Sequence, residues 1–401
     1  MKHEIKQEQG KDVLCFYLEG QLDSSTTSAV EETIEKAVME NPDLPLMVDA
    51  KELAYVSSAG LRLFLKLSKA GKDGLRIVNV TPAVYEVLDV TGFTKLLDIT
   101  RVPREVSVKG CEVIGKGAYG TVYRIDPDTV IKAYENVNAV DLIQREQRLS
   151  KLAFLKGIPT AISYDIVKVG PWYGSMFEMI KAKTLNDLLI EDFDRQDELI
   201  RIYAQVMRQV HSVEMEPGVL PDNKVIFKGY LDAVREVLPM DIAHRLEELL
   251  EAMPEDMHLV HGDFHMKNIM LSEGEPVLID METIGTGDPV FDFAGIFVSY
   301  ELFGEDDSGN AMQFFKIPHE LGDIMGRLIL EAYVGQMEGE REERILDRIR
   351  TCAYLRFIFL VHVMGAGGPV LKEVRIQHSI AHLAELLERV DCMSIRELLE
   401  N

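Results

Sequence analysis

His261-Gly262-Asp263-Phe264-His265-Met266-Lys267-Asn268, followed by Pro276-Val277-Leu278-Ile279-Asp280, decides what the rest of this chain can be. Asp263 and Asn268 stand in a D-x-x-x-x-N spacing. In phosphoryl transfer an Asp so placed accepts the proton of the attacking hydroxyl, and the Asn holds a magnesium ion. The apolar run from Pro276 to Ile279 predicts a short buried strand, and Asp280 at its end can hold metal between nucleotide phosphates. Such a reaction needs an in-line nucleophile and cations held against the phosphates, so two carboxylates and one amide on neighbouring loops suffice. Each residue alone reads equally well as a turn or cap. The joint pattern gains its weight from a phosphate-binding loop upstream.

That loop is Val113-Ile114-Gly115-Lys116-Gly117-Ala118-Tyr119-Gly120-Thr121-Val122-Tyr123, a G-x-G-x-x-G-x-V pattern. Gly115, Gly117 and Gly120 let backbone N–H groups approach phosphate oxygens where a Cβ would clash. A dinucleotide-binding turn would need a helix directly after Gly120. Instead Thr121–Ile125 continues as strand, Asp126-Pro127-Asp128 turns, and Thr129–Tyr134 is a strand again. Lys132 on that strand is positioned to reach the α- and β-phosphates of ATP. Its expected anionic partner is Glu146, on a helix predicted from Asp141 to Leu155, with Glu135 as the weaker candidate. Trp172–Ile180 predicts a last strand running into a hinge, where the carbonyl of Glu178 and the N–H of Ile180 would meet adenine. From Thr184 the spacing turns helical. His211 reads as a cap or core residue, and Asp288 and Asp292 as braces for the catalytic stretch.

Composition bounds these expectations. The chain has 401 residues, 47% hydrophobic and 27% charged, enough for two or three domains with their own cores. The net charge of −24 disfavours nucleic acid and anionic membranes as partners, and favours a cationic substrate or a basic protein patch. Cys15, Cys111, Cys352 and Cys392 show no metal-type spacing, which suits a reducing cytoplasm. No signal peptide and no membrane-length apolar run is visible; Phe357–Met364 is too short to span a bilayer.

Upstream of a charged, proline-containing link at Arg101-Val102-Pro103-Arg104-Glu105, strand and helix patterns alternate. Val13–Leu18, Pro45–Asp49 and Leu75–Val80 read as strands. The helices that follow them are capped at Ser24 or Ser25, at Ser57 or Ser58, and at Thr81-Pro82.

Gly20-Gln21-Leu22-Asp23, Tyr55-Val56-Ser57-Ser58-Ala59-Gly60-Leu61-Arg62 and Asn79-Val80-Thr81-Pro82 resemble a STAS domain, the fold of bacterial anti-sigma factor antagonists. The resemblance implies a protein partner and a phosphorylated serine at Ser58. The alternative is that Ser57 or Ser58 only caps its helix. A helix start tolerates phosphate, whose two negative charges would switch a docking surface.

From Val108 onward, His261-Gly262-Asp263-x-His265-x-x-Asn268, Leu278-Ile279-Asp280 and Gly287-Asp288-Pro289-x-x-Asp292 resemble the aminoglycoside phosphotransferase and choline kinase group of protein-kinase-like enzymes. Gly262 where protein kinases carry Arg, His265 where they carry Lys, and Met281-Glu282 after Asp280 favour a small-molecule acceptor. Glu282 is a possible supporting residue near the metals. The expected architecture is an α/β STAS domain (1–101) followed by a two-lobed protein-kinase-like α+β domain, with an N-lobe at 108–182 and a helical C-lobe at 183–401. The resemblance implies a cytoplasmic kinase using ATP and Mg on a hydroxyl of a small molecule. The rival expectation is a signalling regulator whose kinase-like part senses nucleotide or phosphorylates protein.

Overall fold

The computed structural model describes residues 2–8, 11–71, 74–116, 120–135, 139–335 and 337–399. It divides into two compact units: residues 1–107 with 165–171, and residues 108–164 with 172–401.

The first unit is a five-stranded sheet whose order follows the sequence: Lys2–Glu8, Lys11–Leu22, Leu46–Val56, Leu75–Val80 and Asp98–Arg101. The first two strands pair antiparallel and the rest parallel, with helices Thr27–Glu40, Ser58–Ala70 and Pro82–Val90 as the connections. Leu14, Phe16, Val48, Ile77, Ile34, Phe64 and Leu88 are fully buried between sheet and helices. Gly60 is required where the second helix meets the sheet, because a Cβ there would lie 2.7 Å from Val56 Cγ2.

Three local features differ from the sequence reading or lie outside it. The polar N-terminus forms a strand, because an exposed edge strand is held by backbone pairing to Lys11–Tyr17 and needs no apolar alternation. The first helix is capped at Thr26 rather than Ser24 or Ser25. The Asp23 carboxylate accepts the hydroxyl of Ser25 and the N–H groups of Ser25 (2.8 Å) and Thr26 (3.1 Å), and this hydrogen bonding lowers the pKa of Asp23 below its ordinary value. Residues 165–171 belong to this unit: Val167 and Lys168 pair in parallel with Arg104 and Glu105, and Arg101 and Arg104 both reach Asp165.

In the second unit, strands Glu112–Lys116, Gly120–Asp126, Thr129–Tyr134 and Trp172–Glu178 pair antiparallel, with Thr129–Tyr134 between Gly120–Asp126 and Trp172–Glu178. Two strands flank the glycine loop, as the residue pattern requires. Helix Ala139–Leu155 carries Glu146. The chain becomes helical at Thr184, which caps helix Leu185–Glu191 through a reciprocal bond with Asp187. Helices Gln196–His211, Asn223–Val234, Met240–Ala252, Val290–Phe297, His319–Val334, Glu340–His362 and Lys372–Leu386 share one buried core running from Leu149 to Ile395. The predicted strand before Asp280 is present as Glu275–Leu278, paired with Ile269–Ser272. No helix among the described residues is long and apolar enough to cross a membrane.

Candidate active site

The stretch from His261 to Asn268 follows the buried strand Leu259–Val260 and turns sharply at Gly262. Gly262 has φ +81°, and a Cβ there would lie 2.5 Å from the Thr283 carbonyl oxygen. Both facts disfavour a side chain, so an arginine at this position would strain the turn and displace the Thr283 backbone. The loop is pinned on two sides. Thr283 donates its hydroxyl to the His261 carbonyl (2.8 Å), while the Asp292 carboxylate accepts the N–H groups of His261 (2.9 Å) and Gly262 (2.6 Å). Asp292 is wholly buried and also bonds His211 Nε2 (2.9 Å), whose Nδ1 meets the Tyr333 hydroxyl (3.0 Å). Burial works to raise the Asp292 pKa, but the hydrogen bonds and the His211 and His261 rings outweigh it and hold the carboxyl below its ordinary value. Asp288 braces elsewhere: it accepts from Ser394 Oγ and from the N–H groups of Val290, Ile395 and Arg396.

Past the turn, Met266–Asn268 forms a tight helical turn, and the Asn268 side-chain amide donates to the Asp263 carbonyl (2.9 Å). The Ile279 N–H donates to the Asn268 carbonyl (2.9 Å), so Asp280 begins one residue from a bond to the loop that carries Asp263. Leu278 is tied in turn to Pro159, Thr160 and Ala161. Asp280 has φ +63°, a left-handed conformation that Asp tolerates, and its side chain is open to solvent. The Asp263 carboxylate is also part-exposed, with His265 Nε2 at 3.6 Å and Arg356 Nη2 at 4.0 Å. Burial lowers the His265 pKa, so that ring is neutral at neutral pH.

Lys132 gathers three carboxylates: Glu146 Oε1 at 3.4 Å, Asp280 Oδ1 at 3.1 Å and Glu282 Oε1 at 2.5 Å. The Tyr134 hydroxyl donates to Glu146 and lies 3.3 Å from Glu282. Burial pulls the lysine pKa down, but the carboxylates of Glu146, Asp280 and Glu282 outweigh it and raise it, so the ammonium stays charged. Burial raises the Glu146 pKa despite Lys132 and Tyr134. Glu135 bonds Thr121 rather than Lys132.

Oxygen donors from Glu146, Asp280 and Glu282 lie within 4.8 Å of one another. One ammonium among three carboxylates leaves excess negative charge, and magnesium prefers oxygen ligands, so the donor set fits that ion. Asp280 and the Asn268 amide oxygen are the residues that would hold it. Glu146 is held back by Lys132 and Tyr134.

The nucleotide-loop residues are placed less completely. Gly115 pairs with Val122 on the facing strand. Gly120 must lack a side chain because a Cβ would lie 2.1 Å from the Ala133 carbonyl oxygen, a packing reason the pattern alone did not suggest. Gly117 lies outside the described residues. Glu178 ends its strand opposite Thr129; the Met179 N–H is used by Asp128, and the Ile180 carbonyl accepts from Ala182.

Tyr134, Thr283, Arg356 and the direct grip of Glu282 on Lys132 were not foreseen. Tyr134 had a legible signal: two residues after Lys132 on one strand, it must share its face. Arg356 sits on a long amphipathic helix that carries no motif.

Residues 110–316 match the family described as the phosphotransferase enzyme family, and residues 4–106 match the STAS domain. An anti-sigma F factor antagonist of Paenibacillus polymyxa is 28% identical over 102 residues, covering 25% of this chain and 87% of that protein. Among solved structures, ADP-bound aminoglycoside phosphotransferase APH(2'')-Ib is 16% identical, with 69% of this chain and 93% of that chain covered and a TM-score of 0.46. A choline/ethanolamine kinase family protein from Mesorhizobium loti is 17% identical, with 69% and 88% covered and a TM-score of 0.46.

Proposed function

Because this chain belongs to the phosphotransferase enzyme family, we propose that its second unit transfers the γ-phosphoryl group of ATP to a hydroxyl of a small molecule in the cytoplasm. The observation that carries this is one continuous path. Lys132 meets Asp280; the neighbouring Ile279 bonds the Asn268 backbone; the Asn268 side chain bonds the Asp263 backbone. These contacts between residues far apart in sequence support the reading that they serve one site. Asp263 takes the proton of the acceptor hydroxyl as its oxygen attacks the γ-phosphorus. The bond to the bridging oxygen breaks and ADP leaves. Lys132, shifting from its carboxylates, grips the α- and β-phosphates. Gly115, Gly117 and Gly120 cover the phosphates, and Glu178 and Ile180 offer backbone groups to the adenine edge. Magnesium, when bound, would neutralise phosphate charge, and Asp280 and Asn268 are the residues that would hold it.

Release of ADP from ATP, followed by a coupled assay across hydroxyl compounds with magnesium present, tests this. Acceptor-dependent release is expected, and Lys132→Met should lower kcat/KM by about 100-fold or more through lost phosphate stabilisation. A Lys132→Met rate equal to wild type would remove Lys132 from the site.

Ser58 favours a second role. Ser57 fills the cap, with its hydroxyl oxygen accepting from Ala59 N–H (3.2 Å), while Ser58 is the exposed first residue of the helix. We infer that Ser58 is the phosphoacceptor of a STAS partner switch through which this chain also regulates a protein. If the kinase-like unit supplies that phosphate itself, mass spectrometry after incubation with ATP finds it on Ser58 in the wild type and not in Asp263→Asn. An unmodified Ser58 in the wild type would sink self-phosphorylation.

A further inference from the structure

Arg356 lies on helix Glu340–His362 with its side chain only 13% exposed. Among the described residues its one ion pair is the approach of Nη2 to Asp263 Oδ1 at 4.0 Å, too long for a hydrogen bond. A guanidinium taken out of water is costly unless closely paired. Arg348, two turns earlier on the same helix and more deeply buried, obeys that rule with Asp391 at 3.0 Å and Glu397 at 3.3 Å. Arg356 does not, and room has been left for it: a Cβ at Gly295 would lie 2.9 Å from its Nη1. Gly295 sits on helix Val290–Phe297, one turn after Asp292, the residue that pins the Asp263 loop. One helix therefore sets both the carboxylate and the space beside it. The Asp263 side chain is 42% exposed, so a molecule offering it a hydroxyl comes within reach of Arg356.

We propose that Arg356 binds an anionic group, a carboxylate or phosphate carried near the reacting hydroxyl, and so selects the acceptor. This rests on the phosphotransferase reading above. A guanidinium presents parallel N–H donors that match an oxyanion. The net charge of −24 acts over distance and is screened beyond roughly 10 Å, whereas a part-buried guanidinium at contact is not. Diffusional steering and selection at the base are therefore separate, and an acceptor with an ammonium beside its hydroxyl would meet Arg356 at a penalty. His265, the other group at the carboxylate, is neutral, so Arg356 is the cation there.

Glycerate, glycerophosphate, glycerol and aminopropanediol present similar hydroxyls beside a carboxylate, a phosphate, no charge and an ammonium. With the full chain, ATP and magnesium, the anionic pair should show kcat/KM about 100-fold above the other two, the size of one charge-assisted contact. Arg356→Ala should raise their KM by about 100-fold, leave the KM for ATP within about twofold, and be partly rescued by Arg356→Lys. Preference for glycerol or aminopropanediol overturns the assignment while upholding the phosphotransferase reading. An equal loss of kcat for every acceptor and for background ATP hydrolysis also overturns it, placing the guanidinium on the transferred group instead. If none of the four is turned over, glycerate and glycerol are titrated calorimetrically into Asp263→Asn protein with ADP and magnesium. Tighter glycerate binding that Arg356→Ala abolishes supports the proposal even then; equal binding sinks it.

Discussion

Asp263→Asn is expected to lower kcat by about 100- to 10,000-fold, the range for loss of a general base. The substitution keeps the size of the side chain and leaves intact the backbone carbonyl that receives the Asn268 amide (2.9 Å). The loop is held by His261 and Gly262 N–H bonds to Asp292, which do not involve the Asp263 carboxylate. The site should therefore keep its shape. Nucleotide affinity, read by titration, should stay close to wild type, because Lys132 and its carboxylates are untouched. Only the proton acceptor is lost. A rate within about tenfold of wild type would mean that another group receives the proton.

Asp292→Ala should be the most destabilising single change in the catalytic region, by about 3–5 kcal/mol, the cost of removing one partner from a buried charged network. Three donors lose their acceptor at once: two backbone N–H groups and the His211 ring. Activity should fall with stability, because the turn that aims Asp263 is no longer anchored. The pH dependence has a definite sign. The Asp292 carboxyl is held below its ordinary value in the folded state. Its contribution is thus fully present above the unfolded value of about 3.9 and fades as pH falls through the lower folded value. Denaturant midpoints measured from neutral pH downward should fall more steeply in the wild type than in Asp292→Ala. A variant within about 1 kcal/mol of wild type at neutral pH would show that the loop is anchored elsewhere.

Much of this site was legible along the chain because its groups sit in short local patterns. Asp263 and Asn268 are five residues apart on one loop, and a hydrogen bond joins the second to the backbone of the first. The glycine pattern, followed by a strand and not a helix, separates two phosphate-binding architectures from sequence alone. Lys132 could be chosen because it falls on the strand after that loop, and Glu146 because the next helix must offer an anion to it. The STAS half was readable in its central strands, where burial on both faces leaves continuous apolar runs. It was not readable at Lys2–Glu8, where an exposed edge strand has no pattern to show.

The order of the candidate site groups and the local elements that carry them were determined by sequence alone, since turns, glycines and strand alternation are set by neighbours within a few residues. Which distant side chains close on those groups was decided only by tertiary packing. Glu282 and Tyr134 share the Lys132 cluster because a strand of one lobe faces a loop of the other. Arg356 reaches Asp263 because Gly295 leaves room for it on the neighbouring helix. A side chain on an amphipathic helix has a face that sequence periodicity can identify, but the element it meets across that face depends on how the whole core packs.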